Sequence, residues 1–174
     1  CPCTEIYWFN GPQVDPGQFG QEQTPEGFGW IEIWNLVFMQ FERSIVGGEP
    51  RLESLPRPSI DTGAGLERLS SVVQGKTTNY GIDLLENLVL ETSEIAKKAY
   101  GGTMAPDDVS MRVIADHART TAFLIAEGVM PDRTGREYVL RRVMRRAIRH
   151  GHRLGIREPF LHKIADRVIA TMGE

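Results

Sequence analysis

Cysteine is almost absent: the only two are Cys1 and Cys3. They lie too close in sequence for a structural bridge, which argues against the disulfide-stapled secreted class and for a reducing, cytoplasmic setting. No apolar run approaches the roughly 20 residues of a membrane span, so no membrane is expected among its partners. The four histidines (117, 150, 152 and 162) are scattered. No metal-ligand spacing surrounds them, so no metal site is expected and they read as structural or surface residues. A starting Met and a signal peptide are both missing. The chain therefore reads as a piece of a longer protein.

What is present suits one domain or two small ones: 174 residues, 41% hydrophobic, enough for a sizeable core. The net charge of -3 hides an asymmetry. From Arg133 to Arg157 there are nine arginines (133, 136, 141, 142, 145, 146, 149, 153 and 157) against the single Glu137. One strongly basic stretch in a mildly acidic chain points to a polyanion met through one face.

The first 75 residues read as sheet plus one helix. Glu5 to Phe9 is rich in β formers and predicts a strand. Asn10 to Phe28 holds seven glycines and prolines and predicts a long loop. Trp30 to Arg43 is long enough for helix or strand. Its aromatic and β-branched content, with Gly47-Gly48 beyond it, favours a long strand buried on both faces. Glu32, Asn35 and Gln40 interrupt it and would face a ligand, solvent or a neighbouring loop. Ser44 to Leu55 predicts a hairpin connection, and Leu55-Pro56-Arg57-Pro58 an extended approach. A strand then ends at Asp61 and a glycine turn, Gly63-Ala64-Gly65, opens a helix through Val73 that stops at Gly75. Such a turn lets backbone and ligand approach closely, and Arg68 adds a planar fork suited to phosphate. Asp61 would equally serve as a plain helix cap.

After Lys76 the pattern is all helical. Ile82 to Tyr100 is the first helix. Pro106 to Ala126 is the second, with Val113, Ile114, Ala118, Ala122, Phe123 and Ile125 directed inward. A third runs from about Glu137 to His150, and Glu158 to Gly173 is the last. On the third, Arg141, Arg142, Arg145, Arg146, Arg149 and Arg153 fall within an arc of about 140°, with Leu140, Val143, Met144, Ala147 and Ile148 opposite. Only Glu137, four residues before Arg141, is placed to neutralise the row along the helix. Nucleic-acid phosphate is the partner such a face suits best. A solvated basic face, or one paired to acids elsewhere in the fold, is the alternative.

Four stretches together resemble one family. They are Cys3-Thr4-Glu5-Ile6; Glu32-Ile33-Trp34-Asn35-Leu36-Val37-Phe38-Met39-Gln40-Phe41; Pro58-Ser59-Ile60-Asp61-Thr62-Gly63-Ala64-Gly65-Leu66-Glu67-Arg68; and Arg112-Val113-Ile114-Ala115-Asp116-His117 followed by Tyr138-Val139-Leu140-Arg141-Arg142. In this order, over essentially the whole chain, they resemble the bacterial alanyl-tRNA synthetase family. The third stretch is similar to motif 3 of class II synthetases.

The resemblance implies an α+β fold. Residues 1–76 would be the C-terminal part of a class II aminoacylation domain, an antiparallel sheet with the motif 3 helix. Residues 77–174 would begin an all-helical tRNA-recognition domain. It also implies the reaction: alanine and ATP give alanyl-adenylate, with Mg²⁺, and the alanyl group then moves to the 3′ end of its tRNA. Asp61 would bind the substrate ammonium. Asn35, Val37 and Gly63 would line the alanine pocket, Gly63 and Gly65 would leave room beside the adenylate, and Arg68 would hold the ATP phosphates. Arg133, Arg141, Arg142, Arg145, Arg146 and Arg149 would meet the tRNA acceptor stem. The family commonly has an asparagine two residues after the proline of the turn and a glycine before the tyrosine; this chain has Arg133 and Glu137. Arginine can donate to base edges or to phosphates. The resemblance puts motifs 1 and 2 before Cys1, and a zinc-dependent editing domain after Glu174. The expectation is a catalytic motif in a piece that does not catalyse alone. The competing expectations are a stand-alone RNA-binding module and a protein-interaction piece.

Overall fold

The computed structural model describes residues 2–173. Cys1 lies outside them, and with it half of the unbridged pair; Cys3 is an exposed free thiol. The chain forms two compact units, residues 2–24 with 28–78, and residues 25–27 with 79–173. The fold is α+β.

The first unit is an antiparallel sheet in the order β1 (Cys3–Phe9), β2 (Trp30–Val46), β3 (Glu49–Ala64), followed by the helix α1 (Leu66–Val73). Gly47 and Gly48, both at positive φ, make a two-residue hairpin turn between β2 and β3. The connection expected over residues 44–55 is therefore mostly strand. Nor does the strand end at Asp61. Gly63 pairs with Asn35 and Ala64 with Trp34, so β3 keeps its ladder up to the residue before the α1 N-cap, Gly65. The register breaks between Met39 and Phe41, which oppose Ser59 and Ser54. Residues 55–58 of β3 thus bulge out against Gln40 alone. Pro56 and Pro58 have no N–H to give a ladder, which is why the chain bulges there.

The expectation that β2 is buried on both faces fails. Trp34, Phe38 and Phe41 remain 40%, 36% and 47% exposed. The α-helix of this unit that packs on β2, the eight-residue α1, is far too short to cover a 17-residue strand.

The second unit is helical: α2 (Asp83–Ala96), α3 (Pro106–Ala126), α4 (Gly135–Arg153) and α5 (Leu161–Met172). The 3.6-residue spacing of apolar side chains builds its core from Ile82, Leu88, Val89, Met111, Ile114, Ala118, Leu154, Ile164 and Val168, all essentially buried. Phe123 and Ile125, expected to point inward, are exposed. They sit on the last turn of α3, beyond the stretch that its neighbours cover. At Gly151 of α4 an added Cβ would lie 2.3 Å from the Phe160 ring. The absent side chain is what lets α4 and the start of α5 close together. Asp108 is 4% exposed. Its carboxylate accepts from Gly101 N (3.0 Å), Thr103 N (2.7 Å) and Thr103 Oγ1 (2.7 Å), pinning the loop before α3. Beside it the buried Arg112 donates to Thr103 O and lies over the Tyr80 ring.

Candidate functional site

On the sheet, register decides which side chains meet. Val37 lies opposite Asp61 and Asn35 opposite Gly63. Successive strand residues alternate faces, so these four share one face, together with Cys3 and Glu5 of β1, which oppose Val37 and Asn35. Asn35 Nδ2 donates to Glu5 Oε1 at 3.0 Å, and Tyr7 Oη donates to Glu5 Oε2 at 2.5 Å. Glu5 therefore fixes which end of the Asn35 amide points where. The bond to Glu5 also raises the Tyr7 hydroxyl above its ordinary value, since a phenolate there would face a carboxylate. On the opposite face, Trp34 Nε1 donates to Thr62 Oγ1, which donates to Asn35 O. The Asn35 backbone is thus braced from behind. Asp61 is exposed, and its carboxylate makes no hydrogen bond or ion pair with any described residue.

The two glycines differ. A Cβ at Gly63 would meet nothing within 4 Å, so open space stands over it. A Cβ at Gly65 would meet the Cβ, Cγ and Cδ of Arg68 at 3.1–3.3 Å. The room at Gly65 is filled by the stem of Arg68, rather than left open for a ligand. The Arg68 guanidinium donates to Glu32 O at 2.6 Å. Glu32 lies three residues before Asn35, about 10 Å along the strand. The structure thus brings Asn35, Val37, Asp61 and Gly63 together, and anchors Arg68 roughly one small ligand's length away.

On the second unit, Arg142, Arg145, Arg146 and Arg149 are exposed along α4, and Arg141 is half-buried. None of these five forms an ion pair among the described residues. Arg133 is exposed in the turn before α4. Glu137 does not neutralise the row: its carboxylate turns back to Arg136 at 3.1 Å. The hydrogen bond from its own N–H, and then Arg136, hold it below the usual carboxylate range. Thr134, the N-cap, makes no side-chain bond, so Glu137 serves the start of α4 instead. The expected core face is narrower than drawn. Leu140 and Ala147 are buried, but Ile148 is 51% exposed, as is Val139 at 57%, and both border the arginines. Tyr138 is exposed within the arginine arc itself.

A groove of about 910 Å³ runs beside this row, with His117 of α3 in its lining. His117 Nδ1 lies 2.9 Å from Asp116 Oδ2. Nearby, Ser110 Oγ donates to Pro106 O, so His150 Nδ1 donates to Ser110 Oγ at 3.0 Å. Burial, then the charges of Arg153 and Arg146, push His150 below the ordinary imidazole value. Glu5 and His117 carry no signal in single-residue patterns. Their relevance depends on a strand register and a helix packing that spacing alone does not specify.

The family model described as tRNA synthetases class II (A) matches residues 1–174. The alanine–tRNA ligase of Sorangium cellulosum is 63% identical over 173 residues, covering 99% of this chain and 19% of the relative. Those of Anaeromyxobacter sp. and Nitrosococcus oceani are 53% and 50% identical, again over 99% of this chain. The chain spans 19% of the length of these curated relatives.

Proposed function

The chain belongs to the class II tRNA synthetases, and on that premise we propose that it contributes one side of the aminoacylation site, and part of the acceptor-stem contact, of an alanine–tRNA ligase. Residues 1–76 belong to the catalytic domain and residues 77–174 open the tRNA-recognition domain. The observation that carries the proposal is the shared face of Asn35, Val37, Asp61 and Gly63.

Asp61 is an unpartnered carboxylate and takes the ammonium of alanine. The methyl lies against Val37, and bulkier side chains are rejected sterically. Glycine is rejected weakly, since one methyl is worth only ~1–3 kcal/mol. The Asn35 amide, its orientation set by Glu5, holds a polar group of the substrate, and the open space over Gly63 admits it. Arg68 meets the phosphates of ATP with a permanently charged fork whose stem is packed on Gly65. Mg²⁺ travels with the nucleotide: it is held mainly by phosphate oxygens and needs only one or two carboxylates from protein. Bound, it would supply positive charge to the phosphates; the alanine carboxylate attacks the α-phosphorus of ATP, the α–β phosphoanhydride bond breaks and pyrophosphate leaves. A ribose hydroxyl at the tRNA 3′ end then attacks the alanyl carbonyl of the adenylate, forming the ester and releasing AMP. Arg141, Arg142, Arg145, Arg146 and Arg149 hold the acceptor-stem phosphates that position that end, with Arg133 at the entrance of the helix.

In the full-length protein, Asp61→Ala should abolish alanine-dependent ATP–pyrophosphate exchange while leaving minihelix binding intact. Exchange at the wild-type rate would refute the assignment. The unpaired arginine row also supports a second reading, an RNA-binding module acting without catalysis. Under that reading the variant and the wild type would both lack exchange.

A further inference from the structure

Guanidinium groups donate hydrogen bonds and accept none. Beside these donors the groove holds two imidazoles, His117 from α3 and His152 from α4. Asp116 Oδ2 stands 2.9 Å from His117 Nδ1, and a carboxylate only accepts. In the neutral imidazole the proton is thus held on Nδ1, and Nε2 carries a bare lone pair. Nε2 makes no hydrogen bond with any described residue, and the side chain is 14% exposed, reachable from the groove but held by its surroundings. The His152 ring makes no hydrogen bond with any described residue, so nothing fixes which of its nitrogens accepts, whereas at His117 the Asp116 carboxylate does.

We propose that His117 is a binding residue that accepts a hydrogen bond from a ribose 2′-hydroxyl, so that this face distinguishes RNA from DNA. The proposal rests on the acceptor-stem reading of the arginine row. A phosphate oxygen has no proton to offer Nε2, and phosphates are already matched by Arg142, Arg145, Arg146 and Arg149. An A-form helix hides its base edges in a deep major groove and displays 2′-hydroxyls across a wide, shallow minor groove. A ligand whose phosphates lie along α4 would turn that hydroxyl-bearing surface toward α3. The contact needs a donor, and the 2′-hydroxyl is the donor that RNA has and DNA lacks. Asp116 is a positioning residue: it fixes which ring nitrogen keeps the lone pair.

The test uses the full-length protein and an acceptor-stem minihelix, as all-RNA, as a series each with one 2′-deoxy nucleotide, and as the DNA hairpin of the same sequence. The wild type should lose affinity by about three- to tenfold at one or two deoxy positions, the range of a single hydrogen bond. His117→Phe should bind all-RNA more weakly by the same factor and become indifferent to those positions, with the salt dependence of binding unchanged. His117→Gln, which can present an acceptor of similar reach, should recover part of the preference and covers the case where Phe does not fold. Asp116→Asn should reduce the preference without altering the salt slope. A folded His117→Phe or His117→Gln variant with the wild-type profile of deoxy sensitivity would overturn the proposal while leaving the acceptor-stem reading in place. Absence of salt-dependent minihelix binding by the wild type would overturn both.

Discussion

Replacing Asp108 should cost the helical unit far more than replacing its neighbour Asp107, although both are aspartates at the start of α3. Asp108 is 4% exposed and accepts three hydrogen bonds, two of them from backbone N–H groups. In Asp108→Ala those donors lose their acceptor in a site closed to water, at about 1–3 kcal/mol each before relaxation. The loop over residues 101–105 can open and rehydrate part of them. Arg112, which gains from the Asp108 charge, is left with its buried guanidinium less compensated. The net loss should be about 3–4 kcal/mol. For a unit of this size that corresponds to a fall in Tm of roughly 12–30 °C. Asp107 pairs with Lys98 at 2.6 Å, but their side chains are 47% and 39% exposed, so Asp107→Asn should cost under about 1 kcal/mol.

The two cases also differ in pH dependence. Burial alone would raise Asp108, but the bonds from Thr103 and Gly101 outweigh it and hold it below the ordinary carboxylate value. As pH falls, the unfolded chain takes up the proton first. The stabilisation from Asp108 is therefore present above the unfolded value of about 3.8 and is lost as pH falls through the lower folded value. Calorimetry of wild type and both variants at neutral and acid pH, with hydrogen exchange of the α3 amides, reads both effects. A loss within 1 kcal/mol for Asp108→Ala, or one equal to that of Asp107→Asn, would refute the argument that buried, multiply bonded carboxylates dominate here.

Arg145→Ala combined with Arg146→Ala should lower the slope of log K against log[salt] for minihelix binding by about 1.4–1.8, one counterion per lost phosphate contact; an unchanged slope would remove these arginines from the interface. Gly151→Ala should destabilise the helical unit by about 1–3 kcal/mol in urea unfolding, because its methyl would overlap the Phe160 ring, and Phe160→Leu in the same chain should relieve part of that loss.

The helices were legible because one period governs a whole element. The spacing of Leu88, Ile114, Leu140 and Ile164 marks four buried stripes without knowledge of the partners. At element ends that logic weakens: Phe123 and Ile125 continue the period of α3 after its neighbours have run out. Residue types on the sheet were legible too. Asn35 stood out as a polar residue in an apolar strand, and Asp61 as a carboxylate beside glycines. Their register was not, since it depends on where the prolines at 56 and 58 throw residues out of the ladder and on which two residues make the turn. Glu137 illustrates a further limit. Its sequence distance from Arg141 permits an ion pair, yet its own N–H and Arg136 are nearer partners, and only coordinates decide between them.

The bulge at residues 55–58 has a mechanical consequence. It cuts the hairpin into an inner ladder that carries Asn35, Val37, Asp61 and Gly63, and an outer ribbon that pairs only with itself from Phe41–Ser54 to Val46–Glu49. A pull or twist applied at Gly47-Gly48 must pass through a segment where the ladder is interrupted, and bending there breaks no cross-strand bond of the inner part. The outer ribbon is in effect a hinged handle, able to carry a fluorophore, an affinity tag or a surface tether while the four positions on the shared inner face keep their alignment.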